Sequence, residues 1–345
     1  MQQHLLETYQ RQAESTLAPE IWQYLSAGSG QEKNLTDNTS AWQQLKLMPR
    51  PLQTLASAST HCTIFGETWA HPFLLAPIAY QKLFHMQAEG GVAMAANAQQ
   101  GQMLVSSLAS QPLESIIEAA QQPLWFQLYW QGDRDATLRL VKRALFCGYS
   151  AVVFTVDAPV KQALMTLPEN IQAVNLDKPL MPNPIAEGQS EVFDGWMAQA
   201  PTWQDVDWLR QQIKVPLILK GILHPDDALE AVRLGCDGII VSNHGGRVLD
   251  NTPTVAQMLP HIAKVVGMQT KIIVDSGIRS GQDAFKALAL GADAVCIGRP
   301  YVWGLAAEGA IGVAKVIRVM RDELEIIMAL TGVRNLPEIK NVQLY

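Results

Sequence analysis

Two residues able to do chemistry stand three positions apart at the end of an apolar run. In GIIVSNHGGRVLD (238–250), His244 and Arg247 follow directly on Ile239, Ile240 and Val241. A histidine titrates near neutrality and can take a proton. An arginine can fork two N–H bonds onto a carboxylate. A base and an anion clamp on one short turn point to an enzyme that deprotonates an organic acid.

Similar groups close the other apolar runs. They are Pro77, Ile78 and Ala79; Ser106 and Ser107; Gln127 with Tyr129; Thr155 with Asp157; Lys220; Asp275 to Arg279; and Gly298 with Arg299. Structural strands could end in apolar or turn residues, so so many polar ends imply one shared site. The glycine loops DSGIRSG (275–281) and GRP (298–300), with Arg279 and Arg299, suit a phosphate held by backbone N–H and guanidinium groups. The alternative for each loop is a tight turn whose arginine pairs with a nearby acid.

Elements must position these residues. Short apolar runs read as strands at 73–77, 103–107, 124–129, 151–157, 216–221, 238–244, 271–277 and 294–299. Amphipathic segments between them (137–148, 226–235 and 283–291) each end at a glycine, the usual residue just past a helix. Strands alternating with helices predict parallel pairing, and eight such units close a (β/α)8 TIM barrel. The rival, an open doubly wound sheet, lacks its G-x-G-x-x-G at the first helix. The expected organisation is one domain over residues 1–345. Residues 1–50 form a helical N-terminal extension capping the barrel, 70–335 the barrel, and 158–215 a long, Pro-rich, lid-like loop after the fourth strand. The run from 311 to 332 predicts an amphipathic helix that closes the barrel.

Composition narrows the function classes. The 345 residues are 48% hydrophobic and 17% charged, enough apolar surface for a large core. A net charge of −6 without a basic run argues against nucleic acid as a partner. The N-terminus carries no signal-like apolar stretch, and no window approaches a membrane span. Cys62, Cys147, Cys236 and Cys296 show no metal-like spacing, and Cys236 and Cys296 read as inert core thiols. A cytoplasmic location fits these features. His85 and His224 read as structural or surface residues, and Trp125 and Trp130 as packing.

The motifs SNHGGRVLD (242–250), 275–306, FQLYWQGDR (126–134), FTVDAP (154–159) and LLAPIAYQKLFH (74–85) together resemble the FMN-dependent 2-hydroxy-acid oxidase and dehydrogenase family, from about residue 20 to 335. That family includes glycolate oxidase, lactate oxidase and mandelate dehydrogenase. The resemblance implies FMN as cofactor and a 2-hydroxy acid oxidised to its 2-keto acid, with hydride or its equivalent passing to flavin N5. It implies His244 as base, Asp157 as the carboxylate that stabilises its imidazolium, and Arg247 as holder of the substrate carboxylate. Tyr129 and Tyr24 resemble the two tyrosines at the substrate's carboxylate and hydroxyl. Lys220 would favour the anionic reduced flavin. Gln127, Thr155, Ser106 and the backbone of Pro77, Ile78 and Ala79 would bind the isoalloxazine ring. Asp275, Gly277, Arg279, Gly298 and Arg299 would hold the ribityl phosphate. It also implies a homotetramer, with oxygen, a quinone or a carrier as electron acceptor.

The pattern breaks after Asp157. Family members follow this segment with adjacent arginines, one of which supports the substrate carboxylate, whereas here no arginine stands between Arg143 and Arg210. A gap-free count puts Leu164 in that place, a short deletion being the other alignment, and Lys161 is the nearby cation. Leu108 stands where several small-acid oxidases carry tryptophan, which widens the pocket. These departures point away from a small acid. They favour a bulkier or aromatic 2-hydroxy acid, or a modified pathway intermediate. The competing readings are a repurposed, non-catalytic FMN barrel and another FMN barrel enzyme such as an isomerase.

Overall fold

The computed structural model describes residues 3–160 and 165–345, so Lys161 and Leu164 lie outside the described residues. Two short strands, β1 (Cys62–Ile64) and β2 (Glu67–Trp69), form an antiparallel hairpin. Eight parallel strands then close a barrel: β3 (Phe73–Leu75), β4 (Gln102–Ser106), β5 (Trp125–Leu128), β6 (Ala151–Thr155), β7 (Leu217–Ile222), β8 (Gly238–Val241), β9 (Lys271–Val274) and β10 (Ala294–Ile297). All eight expected strands are present, and β10 pairs with β3 to complete the circle. Both faces of each strand are covered, so they read as continuous apolar runs rather than alternating ones. In β8, Ile239, Ile240 and Val241 are all fully buried.

The hairpin was not expected. It turns at Phe65 and Gly66, both at positive φ (51° and 83°), the geometry that two-residue hairpins demand. Phe65 and Trp69 pack their rings against Trp125 at 5.6 and 5.4 Å, closing the barrel's N-terminal mouth. The signal available in the sequence was Gly66 between two short β-branched runs.

Helices run between the strands, and local chemistry sets their ends. Asp133 caps Arg134–Phe146 by accepting from Ala136 N at 2.7 Å. Ser280 caps Gly281–Ala289, and Thr254 with Gln257 forms a capping box on Val255–Val266. Gly148, Gly235 and Gly291 follow their helices at positive φ, as the sequence implied. The expected closing helix is present up to Thr331; it is preceded, across a break at Glu308 and Gly309 where Gly309 takes φ 61°, by helical turns that begin at Arg299.

Three N-terminal helices, Gln3–Thr16, Pro19–Ser26 and Lys33–Gln44, form the cap. The cap is fastened to the loop after β8. Asp250 accepts from Gln31 N (2.8 Å) and Asn34 N (3.1 Å), and Ser29 N donates to Gly246 O at 2.9 Å. Asn38 and Asn243 exchange two buried amide hydrogen bonds at 2.9 and 2.8 Å. From residue 165 the segment after β6 is irregular until a π-helical turn, Glu191–Trp196, and the helix Trp203–Gln212. Its contacts are specific: Gln199 Nε2 donates to Met181 O at 2.5 Å, and Asn183 N donates to Gly195 O at 3.3 Å.

Cys236 and Cys296 are buried, and burial pushes the Cys236 thiol up to about 12 and that of Cys296 well above its ordinary value. Among the described residues, no helix is long and apolar enough to cross a membrane.

Candidate active site

Sheet register does the first part of the assembly. Ser106 pairs with Gln127, and Thr155 with Lys220, on neighbouring strands. Ser106 Oγ donates to Gln127 Oε1 at 3.1 Å, and Gln127 Nε2 donates to Thr155 Oγ1 at 2.9 Å. A row of buried polar side chains therefore crosses the C-terminal ends of β4, β5 and β6.

The loop after β8 does the second part. His244, Gly245 and Gly246 all take positive φ (58°, 66° and 76°), a run that only glycines accept without strain. The turn reverses the chain tightly enough to aim His244 back across the barrel. Its Nδ1 meets Asp157 Oδ1, at the end of β6, at 2.8 Å. Nε2 then points to Tyr129 Oη at 3.4 Å. A carboxylate on Nδ1 fixes the proton there and leaves Nε2 as the basic nitrogen. Burial foremost, and the nearby Asp157 charge next, raise the Tyr129 hydroxyl above its ordinary value, so it stays a neutral donor.

Lys220 is 3% exposed. Its ammonium lies 3.0 Å from Asp275 Oδ2 and 3.4 Å from Ser242 Oγ. Burial alone would lower this lysine, but Asp275 and Asp157 outweigh it and hold it above its usual range. Burial would likewise raise Asp275, and Lys220 overrides it, so the pair is charged on both sides. Asp275 was expected at a phosphate. Its carboxylate is instead engaged by Lys220 and Ser242, and its N–H donates to Val241 O at 3.0 Å. Gly277 likewise faces the cap: a Cβ there would lie 2.2 Å from Asn38 O.

Arg247 donates to Leu25 O (3.3 Å) and Ala27 O (3.1 Å), and its guanidinium sits 5.2 Å above the Tyr24 ring. The capping helix Pro19–Ser26 thus delivers Tyr24 to the same corner. Arg299 reaches that corner through Leu25 O, Ala27 O and Gly245 O at 3.0 to 3.2 Å. Arg279 is held by Ile278 O and the Trp303 ring. Burial, which the neighbouring aspartates offset only in part, pulls Arg279 below the ordinary arginine range. Burial does the same to Arg299, reinforced by the charges of Arg279 and Arg247. A guanidinium does not give up its proton, so two half-buried cations stand on this side of the barrel, where an anion would be favoured.

These features fit a flavin mononucleotide. The row Ser106–Gln127–Thr155 offers a polar edge for a ring, Lys220 a cation beside it, and Arg279 with Arg299 a dianion site. Pro77, Ile78 and Ala79 lie on the half-buried loop after β3, and Gly298 precedes the helix carrying Arg299, a Cβ on it lying 3.8 Å from Ala76 and 3.9 Å from Ile78. Leu108 is half-buried on the loop after β4, its carbonyl accepting from Tyr80 N at 3.1 Å.

Three residues were missed. Ser242 accepts from His244 N at 2.9 Å and donates to Asp275 at 3.0 Å, so it ties the His244 loop to the Lys220 pair. Gly221 faces Asp157 so closely that nothing larger fits. Glu89, fully buried, accepts from Gln81 N (3.0 Å) and Ser110 N (2.8 Å), and burial raises its carboxyl. It joins the loops that bear Ala79 and Leu108. Ser242 and Gly221 stand inside or beside strand-end motifs, which was the available signal; Glu89 lies in a helix and gave none.

Comparison with known proteins matches residues 13–345 to the family model described as FMN-dependent dehydrogenase. The chain is 43% identical over 343 residues to an L-lactate oxidase of Roseobacter sp. (strain GAI101), covering 97% of this chain and 92% of the relative. It is 40% identical to a 4-hydroxymandelate oxidase of Amycolatopsis orientalis, covering 95% and 94%. A crystal structure of mandelate oxidase with (S)-4-hydroxymandelic acid superposes with a TM-score of 0.91 at 38% identity, covering 99% of this chain and 98% of that one.

Proposed function

The chain belongs to the FMN-dependent dehydrogenase family, and from that premise we propose that it oxidises a 2-hydroxy acid larger than glycolate or lactate, with His244 as base and Arg247 as the carboxylate anchor. The family chemistry, FMN-dependent oxidation of a 2-hydroxy acid at its CH–OH group, is carried by its relatives. FMN, when bound, supplies the two-electron acceptor.

The remaining work falls to side chains. His244 Nε2 takes the substrate proton, and Asp157 stabilises the imidazolium that forms. Arg247 forks onto the carboxylate, with Tyr24 beneath it. Tyr129, a neutral phenol 3.4 Å from His244, donates to the reacting oxygen. Lys220 places positive charge at the ring, moderated by Asp275. Arg279 and Arg299 would hold the phosphate, helped by the backbone around Gly277 and Gly298. Ser106, Gln127, Thr155 and the backbone from Pro77 to Ala79 would hold the ring. The observation that carries this reading is the Asp157–His244 contact at 2.8 Å with Nε2 turned to Tyr129.

The larger substrate is supported by Leu108 in place of a bulkier indole and by the absence of arginine from 144 to 209. Relatives named oxidases favour oxygen as an acceptor. The family resemblance favours a homotetramer.

Anaerobic mixing with glycolate, lactate, mandelate and larger aryl hydroxy acids, following flavin bleaching, tests the reading. Fast bleaching by aryl acids and slow bleaching by glycolate and lactate is expected. A high kcat/KM for glycolate or lactate would show that Arg247 suffices for small acids, and no bleaching by any acid would remove the oxidation itself.

A further inference from the structure

The turn that aims His244 leans on a residue from the next strand's loop. Ser276, directly after β9, is 4% exposed and holds a backbone φ of 83°. That is the left-handed region, which costs a serine free energy and persists only where the surroundings over-determine it.

The strained backbone places one hydroxyl against two amides. Ser276 Oγ accepts from Gly245 N at 3.0 Å and from Asn243 N at 3.3 Å. His244 N, between them in the chain, donates to Ser242 Oγ at 2.9 Å. Three consecutive N–H groups thus converge, as they do in the backbone nests that hold anions. Here two neutral hydroxyls, 3.5 Å apart, fill the concavity instead. Within the turn, Gly246 N donates to Asn243 O at 3.0 Å; the other three N–H groups depend on the two serines.

Ser276 is itself mounted on two further sides. Its carbonyl accepts from the buried Trp42 Nε1 at 3.1 Å, in the cap helix Lys33–Gln44. Lys286 Nζ donates to the Trp42 carbonyl at 2.7 Å, which fixes the residue carrying that indole. Ser276 N donates to Asp275 Oδ1 at 2.8 Å, on the carboxylate whose other oxygen meets Lys220.

Removing the hydroxyl would leave two amides without an acceptor in a largely buried place, and the turn would shift to satisfy them. His244 is the non-glycine among the three left-handed residues of the turn (φ 58°), so the relaxation falls on it first. We propose that Ser276 is a positioning residue for His244. Its hydroxyl holds the backbone at Asn243 and Gly245 so that the imidazole stays against Asp157. The inference rests on the proposed reaction only for the role of His244 as base.

Ser276→Ala and Ser276→Gly, both loaded with FMN, test it. Both lose the hydroxyl, but only glycine sheds the backbone strain, so the glycine variant should melt above the alanine variant. Hydrogen exchange at Asn243 and Gly245 should quicken by at least about tenfold in both, a readout independent of turnover. The limiting rate of anaerobic flavin bleaching should fall about 10- to 100-fold in both. The hydroxy-acid concentration giving half that rate should change by less than about threefold, because the cap holds Arg247 and Tyr24. Asp157→Asn should cost less in the Ser276→Ala background than in the wild type, since both changes act on one imidazole.

A lowered melting temperature with an unchanged limiting rate would make Ser276 a structural residue and overturn the proposal. So would full additivity with Asp157→Asn. Recovery of the rate in the glycine variant would assign the effect to the backbone instead of the hydroxyl, with the same consequence. If no hydroxy acid bleaches the wild-type flavin, the reaction reading fails. Exchange at Asn243 and Gly245 then still decides whether Ser276 holds the turn, and unchanged exchange would overturn it.

Discussion

Gly221 faces Asp157 so closely that a Cβ on the glycine would lie 2.3 Å from the carboxyl carbon, at a backbone φ of 104°. The glycine sits at the bulge that shifts the β7–β8 register between Lys220 and Ile222. The bulge thus aims Lys220 and makes room for the carboxylate that meets His244 Nδ1.

Gly221→Ala should therefore act through Asp157. The positive φ costs about 1 kcal/mol in a non-glycine residue, and the carboxylate must move off His244. Anaerobic flavin bleaching should slow by about 100-fold or more, a loss equal to roughly 3 kcal/mol of transition-state stabilisation. Flavin absorbance should confirm that FMN stays bound. Bleaching at the wild-type rate would mean that the contact does not set the base's geometry.

Removing the base is the sharper cut. His244→Ala should abolish flavin reduction and leave FMN in place. Asp157→Asn keeps the shape but reverses the hydrogen-bond sense at Nδ1, so reduction should fall by about 10³-fold. Reduction near the wild-type rate in the alanine variant would take His244 out of the role.

Arg279→Leu should move two measurements in opposite directions. The half-buried Arg279 guanidinium is desolvated more than Asp283 and Asp275 compensate, so the FMN-free protein should melt at higher temperature without it. The same change removes a charge-assisted contact to phosphate, and FMN should bind about 10- to 100-fold more weakly. FMN titration by fluorescence and thermal melting of the stripped protein report the two effects. Unchanged FMN affinity would place the phosphate elsewhere.

His71 should account for part of the acid sensitivity. Burial first, and Arg321 next, pull its pKa down to about 4, against an ordinary 6.5. Between those values the unfolded chain binds a proton that the folded chain refuses. Stability then falls as pH drops from about 6.5 to about 4, by on the order of 3 kcal/mol in all. His71→Asn retains an acceptor for Phe73 N, which donates to Nδ1 at 3.3 Å, and has no group to titrate. Urea unfolding at pH 7.5 and 4.5 should show a smaller difference in that variant; an equal difference would assign the loss to other groups.

Much of this was legible in the chain itself. Periodicity is a local property, so the eight strands could be read from runs such as GIIV and KIIV, and helix ends from Gly148, Gly235 and Gly291. Polar residues at strand ends marked the site because a barrel aligns those ends on one rim. What could not be read was distance through space. Asp157 and His244 are 87 positions apart and meet only because the barrel closes and the His244–Gly246 turn reverses direction. Asp275 carried a phosphate-loop motif, yet its carboxylate meets the Lys220 ammonium, because β7 and β9, the two strands that flank β8, bring their ends together on a low-dielectric rim. The residue types in SNHGGR determined which chemistry the chain could attempt. Closure of the barrel and docking of the N-terminal cap decided which of those residues meet, because hydrogen bonds and ion pairs act only over a few ångströms.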